Sequence, residues 1–224
     1  MAQRTWTLSR GQMLRAMPKH LLWAAISGAV VGMLLCLVTF VPLPDWMLAI
    51  IAGALWSNAA VVPVAVPGRH WSFAFIGAMM LFLLLVAGTI LAQKLPFPHA
   101  PDYVWRMGSE ILNLVSWLAV LTGGCIGLLY GLLVGKRSSM VVGLALGTAI
   151  GFLLGLGFEG AVTLEGWELG ASVHGRFDGP LHFAWQGALA MVVLHAAAGL
   201  GAALGAGAAA PVNPQSKIEN QESC

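Results

Sequence analysis

Charge is what this chain has least of. Eleven lysines and arginines and nine acids among 224 residues make 9% charged, where an average soluble domain carries about 25%. With 58% hydrophobic residues and a mean hydropathy of +0.83, a soluble fold has too little polar surface to cover its apolar mass. Cysteine is nearly absent too: Cys36 and Cys125 fall inside apolar runs and Cys224 in a polar tail, so no pair is obviously bridgeable, and there is no CxxC redox motif. The net charge is only +2 and the bases cluster at segment ends, which gives nucleic acid as a partner no support. No phosphate loop is present, nor a nucleophile beside a base. The polar segments between apolar runs and the run ends beside them hold His99, Asp102, Glu110, Glu159, Glu165, Glu168, His174, Asp178 and His182, but none has the close spacing of a metal site, so no metal is assigned. An enzyme is therefore the least supported class, and no cofactor is assigned.

Present instead are six apolar runs, near 21–43, 46–66, 71–93, 110–135, 139–160 and 181–205, with charge only at the edges, Glu110 and Glu159. Each matches the roughly 20 residues that an α-helix needs to cross about 30 Å of hydrocarbon. The expected fold is an all-α integral membrane protein with six transmembrane helices and the lipid bilayer as its first partner. Arg4, Arg10, Arg15 and Lys19 precede the first run, Arg69 follows the second, and Lys136 and Arg137 follow the fourth. All fall on one side, which the positive-inside rule makes the cytoplasm, so both termini are expected inside a plasma or bacterial inner membrane. Residues 1–20 read as a basic, amphipathic cytoplasmic lead-in, 21–205 as the membrane domain, and 206–224 as a flexible cytoplasmic tail. Three runs on each side of 94–109 also raise a 3+3 inverted repeat, with Gly28 to Leu35 echoing Gly123 to Tyr130.

The most specific pattern is a glycine comb. Gly123, Gly127, Gly131 and Gly135 are mirrored by Gly143, Gly147, Gly151 and Gly155 about the turn Lys136-Arg137-Ser138-Ser139. Small residues every fourth position let helix backbones approach in lipid, so helices 4 and 5 are expected to form a glycine-zipper hairpin.

Polar residues inside the runs are costly and tend to mark pathways. Asn58, Glu110, Asn113, Glu159, Gln186 and His195 are the candidates to line a polar route, with Asn58 the expected hydrogen-bond partner of His195. His182 and His195 share one helix but point apart, which disfavours a two-haem bundle and leaves a single pigment or haem on His195 open. Trp56 and Trp117 fall deep in their spans, where each indole N–H needs an acceptor.

Gly127-Leu128-Leu129-Tyr130-Gly131-Leu132-Leu133 resembles the end of the rhomboid protease nucleophile helix, and His195 with Gly199 resembles its histidine helix. The nucleophile's position is Ile126, or Cys125 on a one-residue shift, so the resemblance supplies no serine. Asn58-Ala59-Ala60-Val61 resembles the Asn-Pro-Ala box of aquaporins, and Arg176-Phe177-Asp178-Gly179-Pro180 resembles the arginine segment after their second box. Both boxes lack the proline and the second lacks the asparagine. Two functions follow: a channel or transporter for a small solute, ion or proton, or a non-catalytic subunit that packs other membrane subunits, a second copy, a pigment, haem, quinone or lipid.

Overall fold

The computed structural model describes residues 7–38, 41–68, 71–95, 106–164 and 179–208. Among them every regular element is helical: α1 (Arg10–Val38), α2 (Asp45–Ala65), a single 3₁₀ turn (Val66–Gly68), α3 (Trp71–Lys94), α4 (Arg106–Val134), α5 (Arg137–Leu164) and α6 (Gly179–Ala208). Among the described residues four helices are long and apolar enough to cross a membrane, over Arg10–Val38, Ser116–Val134, Arg137–Gly157 and Phe183–Gly207. Within α2 and α3 the apolar stretches among the described residues are Ile50–Ala65 and Gly77–Gly88.

Local chemistry sets the helix limits. α1 opens on a reciprocal cap in which the Ser9 N–H donates to Gln12 Oε1 at 2.9 Å and the Gln12 N–H to Ser9 Oγ at 3.3 Å. It then runs unbroken through Pro18, so the basic lead-in and the first apolar run are one helix. Pro42 and Pro44 separate it from α2, with Pro44 at the N-cap. α4 ends where Gly135 adopts a left-handed φ of 71° and returns its N–H to the Gly131 carbonyl at 2.9 Å. α5 begins two residues later.

Surface and core are inverted relative to a soluble bundle. Phe75, Leu83, Val141, Leu153, Leu181 and Leu204 are all more than half exposed, an apolar exterior of the kind that lipid or other helices cover. The interior is built from small residues, among them Ala24, Ala59, Ala60, Ala198 and Ala202. α6 is central and packs on α1, α4 and α5, whereas α3 lies against α2 and α4.

The closest approaches are backbone against backbone. A Cβ placed on Gly123 would strike the Gly147 carbonyl, one on Gly127 the Gly143 carbonyl, one on Gly131 the Met140 backbone, and one on Gly151 the Ala119 carbonyl. Gly155 supplies the carbonyl that accepts from Ser116 Oγ at 3.4 Å. Gly135 departs from the comb: it caps α4, and its side-chain position faces Thr7, not α5. A second seam joins α1 to α6, where Gly28 meets Gly187 and Gly32 meets the Phe183 carbonyl. Dispersion falls steeply with distance, so these near-contacts let whole helix faces pack at short range.

Candidate functional site

The site begins with two prolines four residues apart. Pro63 has no N–H, so the Ala59 carbonyl one turn earlier loses its helical donor; Pro67 has none either, so the Pro63 carbonyl loses its own. The intervening Val66 N–H is already committed to the Val62 carbonyl. α2 therefore ends with two freed acceptors in a buried interior, and an unpaired buried carbonyl is expensive where no water reaches.

α1 supplies both missing donors. Ser27 Oγ lies 3.0 Å from the Ala59 carbonyl and 3.2 Å from its own helix's Ala24 carbonyl, so one hydroxyl hydrogen serves both. His20 Nδ1 lies 2.7 Å from the Pro63 carbonyl. Because a carbonyl only accepts, Nδ1 carries the hydrogen, which makes Nε2 the lone-pair nitrogen of a neutral His20.

From His20 the polar core continues across the bundle. The His20 ring meets Tyr130 of α4 edge-on, with centroids 5.4 Å apart and planes at 81°. Tyr130 in turn meets His195 of α6 edge-on, at 5.6 Å and 89°. Its hydroxyl lies 2.9 Å from His195 Nδ1. Tyr130 and His195 are fully buried and His20 nearly so. A hydroxyl both donates and accepts, so this link exists in two forms: Tyr130 donates to a bare Nδ1, or Nδ1–H donates to Tyr130. The other His195 nitrogen, Nε2, is buried and makes no hydrogen bond of good geometry. Beside the imidazole lies the Ala60 carbonyl, next to the carbonyl that Pro63 frees. His20 and Tyr130 touch through ring edges only, so the hydrogen-bonded part of the array is Tyr130–His195.

Along the bundle Tyr130 is toward the basic end of α4, while His195 is midway along α6 and His20 ten residues into α1. Tyr130 precedes the Lys136 turn by six residues, about 9 Å of helix rise. That end is tied together by three polar contacts: the Leu8 N–H to the Leu133 carbonyl at 2.8 Å, Lys136 Nζ to the Ala206 carbonyl at 3.3 Å, and Ser138 Oγ to the Gly205 carbonyl at 2.8 Å.

The other residues singled out from sequence are placed differently. Asn58 is exposed on α2 and donates to the Ala54 carbonyl of its own helix at 2.7 Å. It does not meet His195, whose partner is Tyr130. Gln186 is half-buried on α6, nine residues before His195. Glu110 and Asn113 lie on α4 and Glu159 on α5, but their side chains are outside the described residues. The two deep indoles find acceptors: Trp56 Nε1 donates to Thr122 Oγ1 at 2.8 Å, and Trp117 Nε1 to the Leu95 carbonyl at 3.2 Å. Among the described residues no group of three or more His, Cys, Asp or Glu is placed to hold a metal ion.

Sequence reasoning missed His20 and Tyr130. Starting the first helix at residue 21 cut His20 off by one position, and Tyr130 reads as one more large residue in the glycine run. The spacing of Pro63 and Pro67 was the readable signal, since it frees a carbonyl that some donor must find. The fold and this core define a helical bundle with four helices fit to cross a membrane and a buried His–Tyr–His array. No protein-family model, no curated protein and no solved structure matches the chain.

Proposed function

We propose that this chain is a membrane transport protein whose translocated or coupling species is the proton. The observation that carries the reading is the Tyr130–His195 hydrogen bond in a fully buried core with His20 on its other side. Ionisable side chains inside a membrane bundle are costly and recur at proton pathways, and histidine is the side chain whose ordinary titration range spans neutrality. A hydroxyl able to reverse its hydrogen bond is suited to handing a proton on. In this reading all six helices cross the bilayer: α2 and α3, of 21 and 24 residues, are each long enough at about 1.5 Å per residue to span roughly 30 Å. Both termini then lie on the basic, cytoplasmic side, and the α4–α5 seam acts as the glycine zipper. The unequal packing of α3 and α6 lends no support to an inverted repeat.

The test is proton flux into proteoliposomes under an imposed potassium diffusion potential, read with an enclosed pH dye. Wild type is expected to conduct above empty vesicles. His195→Gln, which keeps hydrogen bonding but carries no titratable proton near neutrality, is expected to fall to the empty-vesicle rate at unchanged melting temperature. Wild type at the empty-vesicle rate under every gradient and solute tried would end the transport reading.

One observation favours a second reading, a non-catalytic subunit. Asn58 is exposed on the outer face of α2, and an amide facing lipid is unfavourable unless another helix receives it. If Asn58→Leu lowers the particle mass in detergent or releases a co-purifying chain, that reading gains.

A further inference from the structure

At the basic end of the bundle, the start of α1 and the α4–α5 turn border a half-open cavity of about 340 Å³ lined by Ser9, Arg10, Gln12 and Lys136, with Val134 and Ala206 as its apolar and backbone walls. It is separate from the His–Tyr–His array and independent of the transport reading. We propose that this cavity binds a phosphate-bearing anion, either the headgroup of an anionic inner-leaflet lipid or a soluble phosphate ester.

Three features converge. Two cations reach the cavity from different helices, Arg10 opening α1 and Lys136 in the turn after α4. Their charge is uncompensated among the described residues: the helical acids Asp45, Glu110 and Glu159 all stand toward the opposite end, at the starts of α2 and α4 and the end of α5. Lys136 spends one hydrogen on the Ala206 carbonyl, and an ammonium has three. Arg10 passes over Gly207, where a Cβ would lie 2.5 Å from its guanidinium; its planar fork suits two phosphate oxygens at once. The volume falls in the range of about 300–1,000 Å³ typical of small-molecule pockets. Basic pockets between helices at a cytoplasmic membrane face have the chemistry that anionic headgroups require. The glycine at 207 is what leaves Arg10 this position.

The experiment uses the whole protein in neutral phosphatidylcholine nanodiscs, with phosphatidylglycerol titrated into the bilayer in one arm and soluble glycerol phosphate or inorganic phosphate in the other. Binding is read as the rise in melting temperature and as anion retained in native mass spectra. Wild type is expected to bind in one arm; the arm that responds identifies the source. Arg10→Gln and Lys136→Gln are each expected to weaken binding about tenfold, the loss of one charged hydrogen bond. Lys136→Arg should retain it. Lys19→Gln, an exposed α1 cation outside the cavity, should leave it unchanged. Gln at 136 can still donate to the Ala206 carbonyl, and the unliganded melting temperature checks that the end of α6 stays docked. The proposal is overturned by equal losses in all three glutamine variants, which is diffuse surface charge, or by no response in either arm.

Discussion

Gly127→Ala adds one methyl group where α4 and α5 are closest. Its Cβ falls on the Gly143 carbonyl and 2.7 Å from the Leu144 nitrogen, where ordinary contact is 3.4–4 Å. Both obstacles are backbone, so no rotamer relieves the clash. The helices must part by about 1 Å, and a gap of 0.5–1 Å already forfeits a quarter to a half of each dispersion contact. At about 0.15 kcal/mol per atom pair, some tens of pairs along the seam lose roughly 1–3 kcal/mol, the usual cost of overpacking a core. α5 cannot retreat freely, because it also packs on α6: a Cβ placed on Gly143 would lie 3.4 Å from the Ala202 side chain. The control is Gly157→Ala on α5, which meets nothing within 4 Å and so should show only the helix-propensity gain of up to about 1 kcal/mol. Unfolding by SDS in mixed micelles measures both. Gly127→Ala is expected to unfold at lower SDS than wild type and Gly157→Ala at equal or higher SDS; coincident midpoints would refute the packing argument.

The proline logic makes a prediction of its own: Ser27→Ala should cost about 0.6 kcal/mol in the wild-type background, the average for a hydrogen bond between membrane helices, and less once Pro63→Ala has restored the N–H that the Ala59 carbonyl lacks. A double-mutant cycle with zero coupling would show that Ser27 is not answering Pro63. Orientation is checked by single cysteines in a chain freed of Cys36, Cys125 and Cys224: one at Ser138 should react with a membrane-impermeant maleimide only from the cytoplasmic side, and one at Val41 only from outside. Reaction of both from the same side breaks the six-helix topology.

The parts of this fold that repeat were readable in the sequence, and the parts that depend on one atom were not. Apolar run length placed six helices within a few residues, except at α1, where the basic residues before the first run suggested a separate segment. A proline early in a helix is tolerable when little of the helix precedes it, and the Ser9–Gln12 cap holds that first stretch in register. The glycine spacing pointed to close backbones, and Gly123, Gly127, Gly131 and Gly151 have them. Gly135 followed the same period yet serves the chain reversal, because spacing does not report φ. The α1–α6 contact at Gly28 and Gly187 was invisible for a different reason: the partners are 159 residues apart, and nothing local pairs them. Asn58 looked like the partner of His195 on depth alone. Depth fixes height along a helix but not azimuth, and Asn58 turns outward while Tyr130 turns in.

The central claim is that the buried array serves transport beyond holding helices together. Tyr130→Phe tests it most directly, because the change keeps the ring, its edge contacts with His20 and His195 and almost all its volume, and removes only the hydroxyl 2.9 Å from His195 Nδ1. Proton flux and SDS unfolding measured on the same preparation separate the two roles. The account predicts flux reduced to the empty-vesicle rate while stability changes by no more than about 1 kcal/mol. Wild-type flux in Tyr130→Phe, at whatever stability, would contradict it.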